Sequence, residues 1–273
     1  MPNEVVVYRR HVSESAKVLA GALGGRVVRN LARVHMSNLA VCVPWGEHPA
    51  STALRFRRVL SNGPVRTKLT DARMLAEAGV PTITVSSSLQ RPDAVVGRRF
   101  AVELAGGILD RPAAEALVRR IMADLALPDA DPEEWIGRRQ AHVGGLDLLR
   151  PPGRPDFYVR REHFAKEFRV HSFRGRSIRA GIKIPREGLT PHPWIRSWDG
   201  GWRISYDGRS AQERHREIAH RAVAALGLQY GAVDIGERAD GTLCILEVNR
   251  APGIEGGTLT AYAEAFRSWL AEA

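Results

Sequence analysis

Residues 232–253, AVDIGERADGTLCILEVNRAPG, contain two strand-like runs joined by the dipeptide Asp240-Gly241. Asp-Gly favours a two-residue type I′ hairpin turn, because both central positions of that turn need φ > 0. A hairpin with this turn makes Asp234 the direct cross-strand partner of Glu247, with Cβ atoms about 5 Å apart. Asn249 lies two residues further along the strand and points to the same face. A three-residue loop would shift the register, so this prediction depends on the turn.

The three oxygen-bearing side chains of this hairpin have two interpretations. Facing carboxylates repel each other unless a cation lies between them or one of them is protonated. Oxygen ligands, two of them anionic, suit Mg²⁺, which completes its octahedron with water and phosphate oxygens. Asp234, Glu247 and Asn249 are therefore candidate metal ligands. The alternative, which the residues alone leave open, is a carboxylate pair held by arginines, with Asn249 capping the turn at NRAPG.

Composition places the chain among soluble globular proteins. Its 273 residues, with 44% apolar and 26% charged residues, can build one large domain or two to three lobes. No run approaches the ~20 apolar residues of a membrane span, and the N-terminus has no secretory pattern. Cys42 and Cys244 lie far apart in apolar runs, which favours reduced core thiols. We expect a cytoplasmic protein that does not bind membranes.

The net charge of +10 comes almost entirely from arginine, since only four of the 40 cationic side chains are lysines. A solvated basic surface explains this composition, and so does an anionic substrate such as a nucleotide, because positive fields concentrate anions. The sequence contains no helix-turn-helix, zinc-finger or RNP signature, which disfavours nucleic acid as the partner.

The order of patterns along the chain predicts three parts. Residues 1–66 form an N-terminal α/β lobe, 67–155 a central subdomain and 156–273 a C-terminal subdomain that carries the hairpin. Within them, Thr70 is a candidate helix cap and Gly79 a helix stop. RGR at 174–176 is a candidate turn between two antiparallel strands, and 186–209 should form an irregular connection.

The stretch GAVDIGERADGTLCILEVNRAPGIEG resembles the C-terminal signature of the ATP-grasp superfamily, most closely that of the RimK-type carboxylate–amine ligases. In that family an Asp, and a Glu-x-Asn followed by Pro-Gly, bind the Mg²⁺ ions that bridge the phosphates of ATP. Asp234, Glu247 and Asn249 match these positions. Three further stretches, KEFRVHSFRGRSIRAGIK, KLTDARMLAEAGVPT and RRQAHVGGLDLL, resemble other family segments, so the likeness covers roughly residues 60–273.

The resemblance implies a fold and a set of phosphate-binding residues. The fold is α/β, or α+β: an ATP-grasp fold with an N-terminal Rossmann-like α/β lobe and two subdomains that clamp the nucleotide. Arg169 and Lys183 match cationic positions that neutralise the transferring phosphoryl group, and they are the candidate catalytic residues. Lys183 is also a candidate nucleotide contact.

The same resemblance implies further nucleotide contacts. Gly144 and Gly145 would let backbone amides close over phosphates, and Tyr158 and Val159 would form the hinge against which adenine packs. Arg138 stands where the family usually has a lysine. A second family lysine has no match, Lys68 being the nearest candidate.

The activity implied is ATP-dependent ligation with Mg²⁺, or Mn²⁺ in its place. A substrate carboxylate, from a small molecule or a peptide, attacks the γ-phosphate to give an acylphosphate and ADP, and an amine acceptor then forms the amide bond. Two alternatives stay open: an ATP-grasp protein that binds ATP without ligating, which the missing lysines favour, and a basic nucleic-acid-binding protein that uses the arginines around 160–216. A homo-oligomeric state is compatible with the ligase and with both alternatives. No general base is identifiable from the sequence.

Overall fold

The protein is described as a computed structural model. The structure describes residues 5–9, 13–30, 41–45, 56, 58–60, 63, 66–87, 135–138, 155–193, 195–208 and 210–272. The chain divides into two compact units, the first made of Met1–Thr82 with Phe164–Ala273 and the second of Ile83–His163. The three-part division that the sequence suggests stays a prediction.

The first unit begins with a parallel sheet in the order β2-β1-β3-β4. Its elements are β1 Val5–Tyr8, α1 Glu14–Ala22, β2 Arg26–Val28, β3 Val41–Pro44 and β4 Arg58–Val59. Parallel strands are covered on both faces, which requires continuous apolar runs rather than alternation. VVVY in β1 and VCVP in β3 meet this requirement, with Val6, Val7 and Val43 fully buried.

Helix α2, Lys68–Glu77, connects this sheet with the second unit. The predicted cap Thr70 is wrong, because the helix begins one turn earlier: Thr67 is the cap, and its side chain accepts a hydrogen bond from the Thr70 backbone N–H. The predicted stop at Gly79 is confirmed by its φ of 65°, a left-handed conformation that glycine adopts without steric cost.

The second unit contains an antiparallel sheet of three short strands in the order β5-β7-β6. These are β5 Val85–Ser86, β6 Trp135–Arg138 and β7 Phe157–Arg160. The predicted glycine loop at Gly144 and Gly145 lies outside the described residues.

A five-stranded antiparallel sheet, ordered β10-β9-β8-β11-β12, completes the first unit. Its strands are β8 Lys166–Phe173, β9 Arg176–Pro185, β10 Trp202–Ser205, β11 Tyr230–Glu237 and β12 Leu243–Asn249, with helices α3 Glu213–Ala225 and α4 Gly256–Ala271. Arg174 and Gly175 have φ of 47° and 75°, which is the type I′ geometry and confirms the predicted RGR turn. Strand β10 lies within the segment expected to be irregular.

Side-chain alternation gives this sheet one apolar and one polar face. Phe168, Val170, Val233 and Ile235 belong to one buried cluster with Ile218, Ala219 and Ala222 of α3. Their neighbours in sequence, Glu167, Arg169, His171 and Asp234, point to the other face. Helix α3 therefore fixes which side of the sheet is available for chemistry.

An aromatic core joins the parallel sheet to the C-terminal elements of the same unit. The ring of Trp45 stacks on Tyr230 at 5.5 Å between centroids, with 16° between planes. Tyr262 and Phe266 of α4 complete the cluster. No helix within the described ranges is long and apolar enough to cross a membrane.

Candidate active site

One row of residues crosses the polar face of the five-stranded sheet. Gly181 of β9 pairs with Arg169 of β8, Arg169 with Asp234 of β11, and Asp234 with Glu247 of β12. Direct cross-strand partners lie close enough for side-chain contact. The sheet therefore brings together two of the three predicted metal ligands and one of the two predicted catalytic cations.

The loop and the strand geometry that produce this register differ from those predicted from the sequence. The predicted two-residue turn is wrong: Arg238 and Thr242 are hydrogen-bonded across a three-residue loop, and Gly241 at its end has a φ of 83°. The resulting shift is offset by a β-bulge, because Ile235 pairs with Ile245 whereas Asp234 pairs with Glu247. Leu246 is the extra residue. The predicted pair of carboxylates is confirmed, although its cause is the bulge and not the turn.

The carboxylate of Asp234 forms a bidentate ion pair with the Arg169 guanidinium. Nε and Nη2 of Arg169 donate to Oδ1 and Oδ2 of Asp234, both at 2.7 Å, and Lys183 Nζ lies 3.9 Å from Oδ2. Burial alone would raise the pKa of Asp234, but Arg169 and Lys183 hold this pKa well below its usual range. Asp234 is therefore an ionised oxygen donor at neutral pH.

Glu247 is the more accessible member of the pair, with 30% of its side chain exposed. Its Oε1 lies 2.9 Å from Nζ of Lys68, the first residue of α2. The structure thus places Lys68, which matched no family position in the sequence, directly on a predicted metal ligand.

Lys183 takes part in a second carboxylate contact on the same face. Its Nζ lies 2.9 Å from Oε2 of Glu167, and Arg196 Nε lies 3.5 Å from Oε1 of that residue. Lys183 is therefore within 4 Å of both Glu167 and Asp234. The sequence analysis missed Arg196 because it belongs to a segment without strand or helix periodicity.

The donor atoms on this face are compatible with a hard divalent cation. Asn249 pairs with Ala232, two positions from the Asp234–Glu247 pair, and so shares their face. Two carboxylates and an amide oxygen suit a Mg²⁺ ion that keeps water and phosphate ligands. The described ranges contain no group of three or more His, Cys, Asp or Glu residues that could hold a metal, so a site here would depend on the Asn249 amide. Arg169 pairs with Asp234 and Lys68 with Glu247, so one arginine and one lysine hold the carboxylates where the alternative interpretation expected arginines.

The remaining predicted nucleotide contacts lie in the second unit. Tyr158 and Val159 belong to β7, the central strand of its sheet, where Val159 is buried and Tyr158 is half-buried on the opposite face. Arg138 ends β6 and pairs with Phe157.

A buried histidine links the site to α4. His171 Nε2 lies 3.0 Å from the Tyr206 hydroxyl, and Nδ1 lies 3.2 Å from the Tyr262 hydroxyl. Burial, reinforced by the Arg169 charge, lowers the pKa of His171 to about 3, so the imidazole is neutral at physiological pH. Strand alternation puts His171 on the face opposite Phe168 and Val170, but nothing in the sequence indicates its contacts with the two tyrosines.

Solved structures with a similar fold include ATP-grasp ligases. The chain matches no protein-family model. It is similar to the ATP-grasp ligase PsnB complexed with a minimal precursor, at 16% identity and a TM-score of 0.59 over 97% of this chain and 99% of that one. A further PsnB structure contains Mg and ADP.

Two more structures agree over comparable lengths. The D-cycloserine synthetase DcsG has 18% identity and a TM-score of 0.55 over 97% of this chain and 99% of that one. The macrocyclase MdnC from Microcystis aeruginosa MRC, bound with the precursor peptide MdnA, has 12% identity and a TM-score of 0.53 over 98% and 99%. The chain therefore has the α/β fold of the ATP-grasp ligases, as its sequence predicts.

Proposed function

We propose that this protein is an ATP-dependent carboxylate–amine ligase of the RimK-like type, acting in the cytoplasm. The observation that carries the proposal is the row of Arg169, Asp234 and Glu247 on the polar face of a sheet in the ATP-grasp fold. These two carboxylates, with Lys68, Lys183 and Arg169 around them, form a surface that can hold the phosphates of ATP together with a divalent cation.

The proposed reaction has two steps. An oxygen of the substrate carboxylate attacks the γ-phosphorus of ATP, and the bond to the β-phosphate oxygen breaks, which gives an acylphosphate and ADP. The amine nitrogen then attacks the acyl carbon, the C–N bond forms, inorganic phosphate leaves, and the amine proton passes to solvent. Mg²⁺ bound by Asp234, Glu247 and Asn249 would neutralise phosphate charge during the first step.

The chain's own cations supply the remaining electrostatic stabilisation. Arg169 and Lys183 lie on the strands next to Asp234, so charge that develops on the transferring phosphoryl group would meet two positive side chains. Both side chains are mostly buried, with 22% and 12% exposed, which strengthens their interaction with a phosphate. Positioning and charge neutralisation supply most of the catalysis in phosphoryl transfer, so a general base is not required.

The substrate class is proposed from the structural neighbours. One PsnB structure contains a minimal precursor, MdnC is bound with the precursor peptide MdnA, and DcsG is a D-cycloserine synthetase. A peptide or amino-acid-like carboxylate and an amine acceptor are therefore the proposed substrates.

The test is Mg²⁺-dependent ADP release from ATP in the presence of a panel of carboxylates and amines. Glu247→Gln keeps the size of the side chain and removes one ligand charge, so ADP release should fall at least a hundredfold, since electrostatic contacts of this kind contribute on the order of 10²–10³ in rate. Glu217→Gln, an equally conservative change on the exposed face of α3, is the matched control and should leave the rate unchanged. Undiminished turnover in Glu247→Gln would overturn the proposal.

Two other outcomes separate the alternatives. Tight ATP binding without ADP release across the whole panel would favour an ATP-binding protein that does not ligate. Salt-sensitive RNA or DNA binding that survives Asp234→Asn would favour a nucleic-acid-binding protein.

A further inference from the structure

A cavity of about 440 Å³ opens on the same sheet face, beside the row of charged residues. It lies between β9, the segment after β10 and helix α4, all within the first unit. The residues that determine its chemistry are Arg179, Tyr206, Gly257, Thr260 and Glu264. A cavity of this size accepts a small molecule or a few residues of a peptide.

Arg179 is the cationic residue that lines this cavity, and none of the described residues provides its guanidinium with an anionic partner. Its Cζ lies 4.1 Å from the centroid of the Tyr206 ring, a cation–π contact. A Cβ added at Gly257 would collide with Nη1, so the guanidinium is seated against the helix backbone. Its Nε is buried without a hydrogen-bond partner, and in the described part of the chain no carboxylate forms an ion pair with it.

A chain of buried polar contacts holds the Tyr206 ring in position. Tyr206 directs its hydroxyl to His171 Nε2 at 3.0 Å, and His171 Nδ1 lies 3.2 Å from the Tyr262 hydroxyl. His171 and Tyr262 are fully buried. This chain of contacts holds the ring under Arg179, so the guanidinium needs little ordering when an anion binds.

The charges around the cavity select the class of anion. Gly257, Thr260 and Glu264 lie on one face of α4 because they are three, four and seven residues apart. Glu264 is thus about 10 Å from Gly257 along the helix axis. One guanidinium with a carboxylate at the far end of the cavity suits a monoanion with a positive or neutral remainder, and it disfavours a polyphosphate. The planar fork of arginine matches a carboxylate in a bidentate manner.

The position of Arg179 in β9 separates an anion bound there from the proposed site of phosphoryl transfer. Arg179 is two residues before Gly181, the strand partner of Arg169, and pairs with His171. Two residues of a strand span about 7 Å. A carboxylate on Arg179 would therefore lie beside the phosphate-binding row and not on it, so it would be a second carboxylate of the substrate.

We propose that this cavity is a substrate-recognition site in which Arg179 binds a non-reacting carboxylate of a peptide. The proposal rests on the ligase function proposed above, because it names the substrate class of the same enzyme. The carboxylate belongs to the C-terminus of the peptide or to an Asp or Glu side chain.

The experiment measures equilibrium binding to the full-length protein without nucleotide. The probes are three mixed-sequence tripeptide pools: one with free C-termini, one amidated and without acidic residues, and one acetylated, amidated and containing Glu or Asp. Saturation-transfer NMR should detect one or both carboxylate pools and not the neutral pool. The pool that binds identifies the source of the carboxylate.

Arg179→Gln should weaken binding of the carboxylate pool about tenfold to a hundredfold, the loss expected for a charge-assisted hydrogen-bonded pair. Gly257→Ala keeps the charge but displaces the guanidinium, and it should weaken binding as well. Arg176→Gln on the exposed end of the same strand is the matched control and should not change binding. Unfolding midpoints of the variants establish that each is folded.

The proposal is overturned by equal binding to Arg179→Gln, by equal binding of the neutral pool, or by no binding of either carboxylate pool to the wild-type protein. Displacement of a bound carboxylate pool by sodium triphosphate, as strong as displacement by a competing carboxylate, would also contradict the proposal. ATP binding is measured separately. A wild-type protein that fails to bind ATP contradicts the ligase proposal, while the tripeptide pools still decide the role of Arg179.

Discussion

Ile245 and Glu247 lie two residues apart in β12, yet their side chains face opposite sides of the sheet. Ile245 is fully buried in the cluster against α3, whereas Glu247 faces Asp234 and contacts Lys68. Residues at i and i+2 of a regular strand share a face. The bulge at Leu246 changes the phase of the strand and thereby turns Glu247 out of the core.

Deletion of Leu246 should preserve the site, because it removes the bulge residue and leaves Ile245 opposite Ile235 and Glu247 opposite Asp234. We expect a folded protein with ADP release within about tenfold of wild type, a factor that corresponds to about 1.4 kcal/mol. Deletion of Val248 is the matched control: it would place Asn249 opposite Val233, toward the apolar core, which costs about 1–3 kcal/mol. Circular dichroism and the ADP assay compare the two. Equal damage from both deletions would contradict the role assigned to the bulge.

Asp234→Asn should destabilise the protein, because it leaves the mostly buried guanidinium of Arg169 without its bidentate partner. Breaking one side of a buried ion pair costs about 3–5 kcal/mol. Glu247→Gln, at a half-exposed position, should cost less than about 1 kcal/mol. Urea unfolding of both variants measures the difference. If Asp234→Asn unfolds at the wild-type midpoint, the Arg169–Asp234 pair does not stabilise the fold.

Gly181→Ala should destabilise the five-stranded sheet. A Cβ at position 181 would lie 2.5 Å from the backbone oxygen of Ser205, so β10 would have to move away from β9. Gly21→Ala in α1 is the matched comparison, since a Cβ there meets nothing within 4 Å. It should stabilise the protein by roughly 0.5–1 kcal/mol. Opposite shifts of the unfolding midpoint are expected, and a loss of stability in Gly21→Ala would be inconsistent with the open space around it.

His171 should make the protein acid-sensitive. Its pKa is lowered to about 3 in the folded chain, so on acidification the unfolded chain takes up the proton first. The stability contributed by the neutral imidazole is complete above about pH 6.5 and is lost as the pH falls from there toward 3. One such group gives a slope of up to about 1.4 kcal/mol per pH unit, or about 2 kcal/mol between pH 6.5 and 5. The urea midpoint of His171→Gln should fall less steeply with decreasing pH over this range than that of the wild-type protein. Parallel curves would exclude His171 as the cause of the acid sensitivity.

The sequence predicted the elements whose signals are local. The Asp-Gly dipeptide located the hairpin, Gly79 the end of α2, and RGR the turn between β8 and β9. The bulge at Leu246 was missed because residues 243–246 form an uninterrupted apolar run, so alternation does not reveal a change of phase within it. The cap at Thr67 was missed because both Thr67 and Thr70 are of a residue type that caps helices well, and only the tertiary position of the helix decides between them.

Contacts between distant segments escaped the sequence entirely. Lys68 contacts Glu247, and Tyr206 contacts His171. Both pairs are far apart in sequence, and strand or helix periodicity predicts only contacts between near neighbours. The metal ligation by Asp234, Glu247 and Asn249, the phosphate contacts of Arg138, Gly144 and Gly145, and the adenine contacts of Tyr158 and Val159 stay predictions.

The discontinuity of the first unit has a consequence for synthesis. Trp45 leaves the ribosome long before Tyr230 and Phe266, the rings against which it packs. At about 5–20 residues per second, roughly 10–45 s separate the synthesis of Trp45 from that of Phe266. The second unit, being continuous, can complete its own contacts during that time. The apolar surface of the N-terminal sheet stays uncovered until its partners have been synthesised. During this interval a chaperone would protect the nascent chain from aggregation.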